Sequence, residues 1–300
     1  MKQENPEVQS ELLPSVGIVI GGVLWGLVWL PLRALGDLGF SGAWSGAVMY
    51  FGTALVLLPV IFVRRRGLAN IWKTLAICGF FTGAAFSFYS TSILLTDVVR
   101  AILLFYLTPV WGTLLGVVFL SERLTFSRVA ALLLGLAGLL VVLDAGNQLP
   151  WPRNLGDWLA LASGLAWAWG SLKVYQAESI APFDQILAFV FGSLFVTGLT
   201  LILGGEAVGV VPSWSEMNSV LPLAILAALY VVPMLYLTVW PASVLTPGRI
   251  GLLLMSDVLV GVVSAALLAG EPFGLREALG TLLIVLAGVV EVLGNRKSNQ

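Results

Sequence analysis

Apolar residues along this chain run in blocks of about twenty and do not alternate with polar ones. Ten blocks are bounded by short polar connections, at roughly 15–33, 41–63, 72–94, 98–120, 126–144, 155–176, 184–204, 218–239, 247–269 and 275–294. A helix of about 20 residues crosses a hydrocarbon core of about 30 Å. A barrel strand needs only about 10 residues of alternating polarity, whereas 102–120 is apolar on every side. The pattern predicts an all-α integral membrane protein of ten transmembrane helices. The longest polar connections are 145–154 and 205–217. The first divides the chain into halves, 1–147 and 148–300, with five helices each.

An odd number of crossings per half inserts the second half upside down. Inverted five-helix repeats around a central cavity are therefore expected. A shift of 149 residues places Arg100 on Arg249, Leu103-Leu104 on Leu252-Leu253, Gly112 on Gly261 and Glu122 on Glu271. A shift of 142 places Gly22 on Gly164 and Trp25 on Trp167. Inverted repeats of this kind hold their substrate site near the bilayer midplane, between the copies.

Composition sharpens the picture. The chain is 59% hydrophobic and 10% charged, against about 25% charged in a soluble domain, so its solvent is lipid. A net charge of −1 without a basic patch argues against nucleic acid. With the N-terminus inside, the cytoplasmic side carries eleven Lys and Arg and the other side four, Arg33, Arg100, Arg153 and Arg276. Both termini are thus expected in the cytoplasm, with residues 1–14 as a short acidic tail and not a cleaved signal.

Histidine is absent, which removes His-based metal sites and Ser-His or Cys-His catalysis. The single cysteine, Cys78, suits a small apolar filler inside a helix. No Walker motif is present, so no ATP hydrolysis is expected, and no cofactor is implied. A membrane-embedded lipid enzyme would need a carboxylate or His cluster, and no Asp-x-x-Asp cluster occurs. The expected partners are the lipid bilayer and a small-molecule substrate.

Intramembrane charge and deep aromatics supply the candidate site. Asp257 lies near the middle of the ninth block, suited to a substrate ammonium or a proton. Lys173 lies near the end of the sixth, suited to a substrate carboxylate or to snorkelling. Trp25, Tyr89, Tyr106, Trp111, Trp167 and Tyr236 lie deep enough that their polar tips need partners inside the bundle. The repeat mate of Asp257 is Thr108, or Pro109 if the register slips by one residue. Pro109, Pro233 and Pro241 interrupt helix hydrogen bonding and are candidate hinges.

The stretch 90–143 resembles the second half of an EamA repeat of the drug/metabolite transporter superfamily. The resemblance rests on Pro109 in a long apolar helix, the Leu120-Ser121-Glu122-Arg123 turn, and a helix with Gly135 and Gly138. Trp25-Gly26 and Trp167-Ala168 fit the same repeat. Phe105-Tyr106-Leu107-Thr108-Pro109 is similar, more narrowly, to the YddG-type aromatic amino acid exporters. The resemblance implies helices 1–4 and 6–9 around a cavity, with 5 and 10 outside, and Tyr89, Tyr106 and Trp167 lining it. It also implies an inner-membrane exporter of amino acids and related metabolites working by alternating access, or an exporter of drugs or nucleotide sugars. The chain departs from the pattern at Asp257, where relatives tend to have proline, and at Met49-Tyr50-Phe51, where many carry arginine.

Overall fold

The computed structural model describes residues 6–120, 126–142, 152–177, 180–242, 245, 247–271 and 273–298. The division between residues 147 and 148, together with Glu122 and Arg123, falls outside them. The described residues form helices and connections, with no strand among them. The helices are α1 (Pro6–Gly26), α2 (Trp29–Asp37), α3 (Ala43–Leu95), α4 (Val98–Phe105), α5 (Thr108–Leu120) and α6 (Phe126–Val142), then α7 (Leu155–Gln176), α8 (Pro182–Gly204), α9 (Trp214–Asn218), α10 (Val220–Ala242), α11 (Pro247–Leu268) and α12 (Leu275–Ser298). Six stretches among the described residues are long and apolar enough to cross a membrane. Two of them, Ala43–Arg64 and Asn70–Leu95, are arms of α3.

Those arms are antiparallel. The Tyr50 hydroxyl donates to the Phe86 carbonyl at 3.1 Å and to Ser90 Oγ at 2.6 Å. Thirty-six residues of straight helix would hold positions 50 and 86 about 54 Å apart. The chain therefore doubles back between the arms, near the basic run Arg64-Arg65-Arg66.

Connections gather by their contacts. The Val210 N–H donates to Ser41 Oγ at 3.0 Å, joining the turn after α2 to the segment before α9. Asn154 Nδ2 donates to Thr96 Oγ1 at 3.3 Å, and Glu271 accepts from Val98 N–H at 2.9 Å. Ser41, Gly42, Thr96, Asp97 and Asn154 line one polar pocket together with Arg33, which pairs with Glu271, so these connections share one polar end. Gly42 sits there with φ +56°, and a Cβ on it would lie 1.9 Å from the Val208 carbonyl oxygen. The α9 turn is fixed by a capping box between Ser213 and Glu216. Hydrogen bonds from Ser213 hold the Glu216 carboxyl below its ordinary range.

Helices meet backbone to backbone at small residues, as expected where lipid supplies no hydrophobic drive between them. A Cβ on Gly52 in the first arm of α3 would lie 1.8 Å from the Ala224 carbonyl of α10. A Cβ on Gly192 in α8 would lie 1.8 Å from the Gly79 carbonyl in the second arm of α3. Gly22 and Gly26 of α1 face Ser256 and Asp257 of α11, and Gly164 of α7 faces the Phe105 carbonyl of α4. Helices α6 and α12 pack chiefly on one another, to the side of this arrangement.

Two neighbouring positions on α8 test the role of close approach. Gly192→Ala forces the α8 and α3 backbones apart and is expected to destabilise by about 1–3 kcal/mol, the usual cost of overpacking. Gly198→Ala meets open space and is expected to be neutral or to stabilise by about 0.5–1 kcal/mol through reduced backbone entropy. Thermal unfolding of the two variants in detergent checks the contrast; equal melting temperatures would remove the packing argument.

Candidate functional site

The chain leaves helical geometry twice beside one cavity. Between α1 and α2, Leu27 and Val28 form a turn, with the Val28 N–H tightened onto the Trp25 carbonyl at 3.2 Å. Between α4 and α5, Tyr106 and Leu107 do the same, with the Leu107 N–H reaching the Leu104 carbonyl at 3.4 Å. The second break has a readable cause. Pro109 has no N–H, so the Phe105 carbonyl loses its partner four residues on. The Thr108 hydroxyl takes that carbonyl instead, at 2.7 Å. The Pro109 side chain itself lies outside the described residues. The other two prolines act differently: α10 runs on through Pro233 and ends one residue after Pro241.

Between these breaks lies a cavity of about 250 Å³. It is walled by seven aromatic rings, those of Trp25, Phe86, Tyr89, Phe105, Tyr106, Trp167 and Phe189. Trp25 meets Phe86 edge-on at 4.9 Å, Phe86 meets Phe189 at 5.3 Å, and Tyr89 meets Phe105 at 5.0 Å between ring centres. Asp257 is the one charged group among the described lining residues. Its Oδ1 accepts from the Val258 N–H at 2.6 Å, and the Tyr106 hydroxyl approaches the same carboxyl. Gly26 brings α1 close enough that a Cβ there would lie 2.5 Å from the Asp257 carbonyl oxygen. The floor is tied across the chain by Trp25 Nε1, which donates to Thr238 Oγ1 at 2.9 Å.

Six of the nine candidate substrate residues thus line one cavity: Trp25, Tyr89, Tyr106, Thr108, Trp167 and Asp257. Three lie elsewhere. Trp111 packs on Leu115, Ala168 and Leu172 in a separate apolar cluster. Lys173 donates to Gln176 Oε1 at 3.2 Å, near the end of α7. Tyr236 is 40% exposed and stacks on Trp240 at 5.9 Å. Thr238, two residues on from Tyr236, faces the cavity instead, because two residues rotate a helix by about 200°. Phe86, Phe105, Phe189 and Thr238 were not singled out from sequence. The available signals were the one-turn spacing of Phe86 from Tyr89 and the lone hydroxyl between Leu237 and Val239.

Comparison with known proteins adds to this geometry. Residues 13–144 match the EamA-like transporter family. The match takes in less than half of the chain. A match to a transporter family is in keeping with the long apolar helices of a multi-pass membrane protein. It is similar to a probable amino-acid metabolite efflux pump of Salmonella typhimurium strain LT2, 26% identical over 190 residues. That match takes in 61% of this chain and spans 63% of the length of the relative. A protein of known crystal structure superposes over 96% of this chain and 98% of its own, with a TM-score of 0.56 and 20% identity. Likeness at that identity speaks for the fold alone.

Within the EamA-like stretch, the polar end of α4 is held by two carboxylates from elsewhere in the chain. Glu271 accepts from the N–H groups of Val98 and Val99, both at 2.9 Å, and from Arg33 Nη2 at 2.6 Å. It caps α4, where the helix dipole favours negative charge. Asp157, fully buried, accepts from Arg100 Nε at 2.8 Å, Thr96 Oγ1 at 2.9 Å and the Arg153 N–H at 2.8 Å. Asp157→Ala removes the acceptor of all three groups. Breaking a buried pair from one side costs about 3–5 kcal/mol, so the variant is expected to melt far below the parent in detergent. A melting temperature within a degree or two of the parent would show that the Asp157 contacts carry little weight.

Proposed function

We propose that this chain is a secondary transporter of a bacterial-type inner membrane that exports amino acids, aromatic and other apolar ones first, and related metabolites by alternating access. The observation that carries the reading is the cavity: seven aromatic rings around one carboxylate, with walls drawn from both halves of the chain. An aromatic-walled cavity suits an apolar side chain, and the Asp257 carboxyl suits an ammonium group. The Salmonella relative, by its name an amino-acid metabolite efflux pump, points the same way.

Ten crossings in two inverted repeats, 1–147 and 148–300, are part of the proposal. Reciprocal pairing supports them. The first helix of the first half packs on the fourth of the second (α1 on α11), and the first of the second half packs on the fourth of the first (α7 on α4). The second helix of each half likewise packs on the third of the other, at Gly52–Ala224 and at Gly192–Gly79. The fifth pair, α6 and α12, packs together. Exchange of partners on this pattern is what a twofold axis in the membrane plane produces. In this arrangement Trp25, Tyr89, Tyr106, Thr108, Trp167 and Asp257 contact substrate, and the breaks at 27–28 and 106–107, the latter beside Pro109, serve as hinges.

Cytoplasmic termini place the polar end outside. Its Arg33 and Arg100 are paired with Glu271 and Asp157, and Arg276 with Glu277. The eleven cations of the other side include the run at the tip of α3.

Counterflow of labelled amino acids into liposomes holding the purified protein tests the function. Phenylalanine or leucine is expected to exchange above protein-free vesicles. Replacing Trp167 or Tyr106 by Ala is expected to reduce exchange at least tenfold. Exchange no faster than in empty vesicles across a panel of amino acids would sink the substrate assignment.

A further inference from the structure

The proposed site also carries information about the charge its substrate may bear. Taking the cavity as the substrate site, we infer that among the amino acids and related metabolites it carries it favours cations over zwitterions: amines whose carboxylate is missing or masked, such as amino-acid amides, esters and decarboxylated amines, bind more tightly than the free amino acids.

The argument is an inventory of charge and of hydrogen-bond donors. A free amino acid brings a carboxylate within a few ångströms of its ammonium, since both sit on one carbon. If the ammonium pairs with the Asp257 carboxylate, the substrate carboxylate lies beside a second carboxylate and needs a positive partner. The described lining holds no Lys or Arg. Lys173, the sequence candidate for that role, is turned to Gln176 near the far end of α7. Arg100, on α4, gives its Nε to Asp157. Arg33 gives its Nη2 to Glu271 and stacks on Trp29 at 5.7 Å.

Four of the six neutral side-chain donors in the described lining are committed as well, which leaves the Tyr89 hydroxyl and Trp167 Nε1, neither of which carries charge. The Thr108 hydroxyl is spent on the Phe105 carbonyl at 2.7 Å, and the Thr238 hydroxyl on the Met234 carbonyl at 2.8 Å. Trp25 Nε1 is spent on Thr238. The Tyr106 hydroxyl is turned to Asp257. What the cavity offers in quantity is acceptors and π-faces. One carboxylate with a ring of aromatic faces is the arrangement that recognises an ammonium ion, through charge pairing and cation–π attraction. An isolated carboxylate in the same low-dielectric space has little to replace its hydration.

The test compares matched ligands on the purified protein in lipid nanodiscs. Phenylalanine is set against phenylalanine amide and phenylethylamine, and leucine against leucine amide and isoamylamine, with binding read by titration calorimetry. Amide and amine are expected to bind at least tenfold tighter than the parent amino acid in both series. In Asp257→Asn the preference is expected to collapse to within about twofold. The wild-type comparison stands by itself should that variant fail to fold. Amino acids binding as tightly as their amides, or tighter, overturn the inference while leaving the transporter reading in place. A preference for amides that persists in folded Asp257→Asn also overturns it, by removing the carboxylate as its source. Binding of none of the six compounds overturns both readings.

Discussion

Contact between bare backbones is the constraint on which the rest of this molecule depends. In lipid, apolar side chains gain nothing by leaving the solvent, so helices associate through packing at short range. At Gly192 against Gly79, and at Gly52 against Ala224, no room remains for a β-carbon. These contacts fix the heights at which helices cross, and through them which side chains share a level in the bilayer. Gly26 does this for the cavity itself, bringing α1 against α11 at Asp257.

The polar end and the cavity are two uses of one helix. Helix α4 begins capped by Glu271 and bound to Asp157. Less than three turns later it breaks at Tyr106, next to the cavity. The carboxylates pin its start, while the missing N–H of Pro109 loosens its end. A substrate lodged against Phe105 and Tyr106 therefore touches the segment that is least constrained by its own hydrogen bonds.

Much of the fold was legible because lipid demands long apolar blocks, and the described residues are helical with six stretches long and apolar enough to cross a membrane. The 50–86 contact was not legible, since hydropathy counts blocks without saying that two of them form one doubled-back α3. The deep aromatics Trp25, Tyr89, Tyr106 and Trp167 could be named because a buried polar tip is informative. Phe189 carries no polar tip, so its place in the cavity wall left no mark in the sequence, and Phe86 is marked only by its one-turn spacing from Tyr89. Tyr236 stands out in the sequence by its ring, while helix phase over so apolar a run gives no direction that would point to Thr238. Lys173 was ambiguous for a related reason: a long charged stem reaches an interface as readily as a substrate.

Glu271 serves as helix cap and countercharge at the same time. Any motion that draws the connection at Glu271 away from both α4 and α2 strips two peptide N–H groups and a guanidinium of their acceptor in one stroke. Only water can take over all three roles. Parting at that point is therefore bound to hydration of the gap, and a dry opening there is physically closed to this chain.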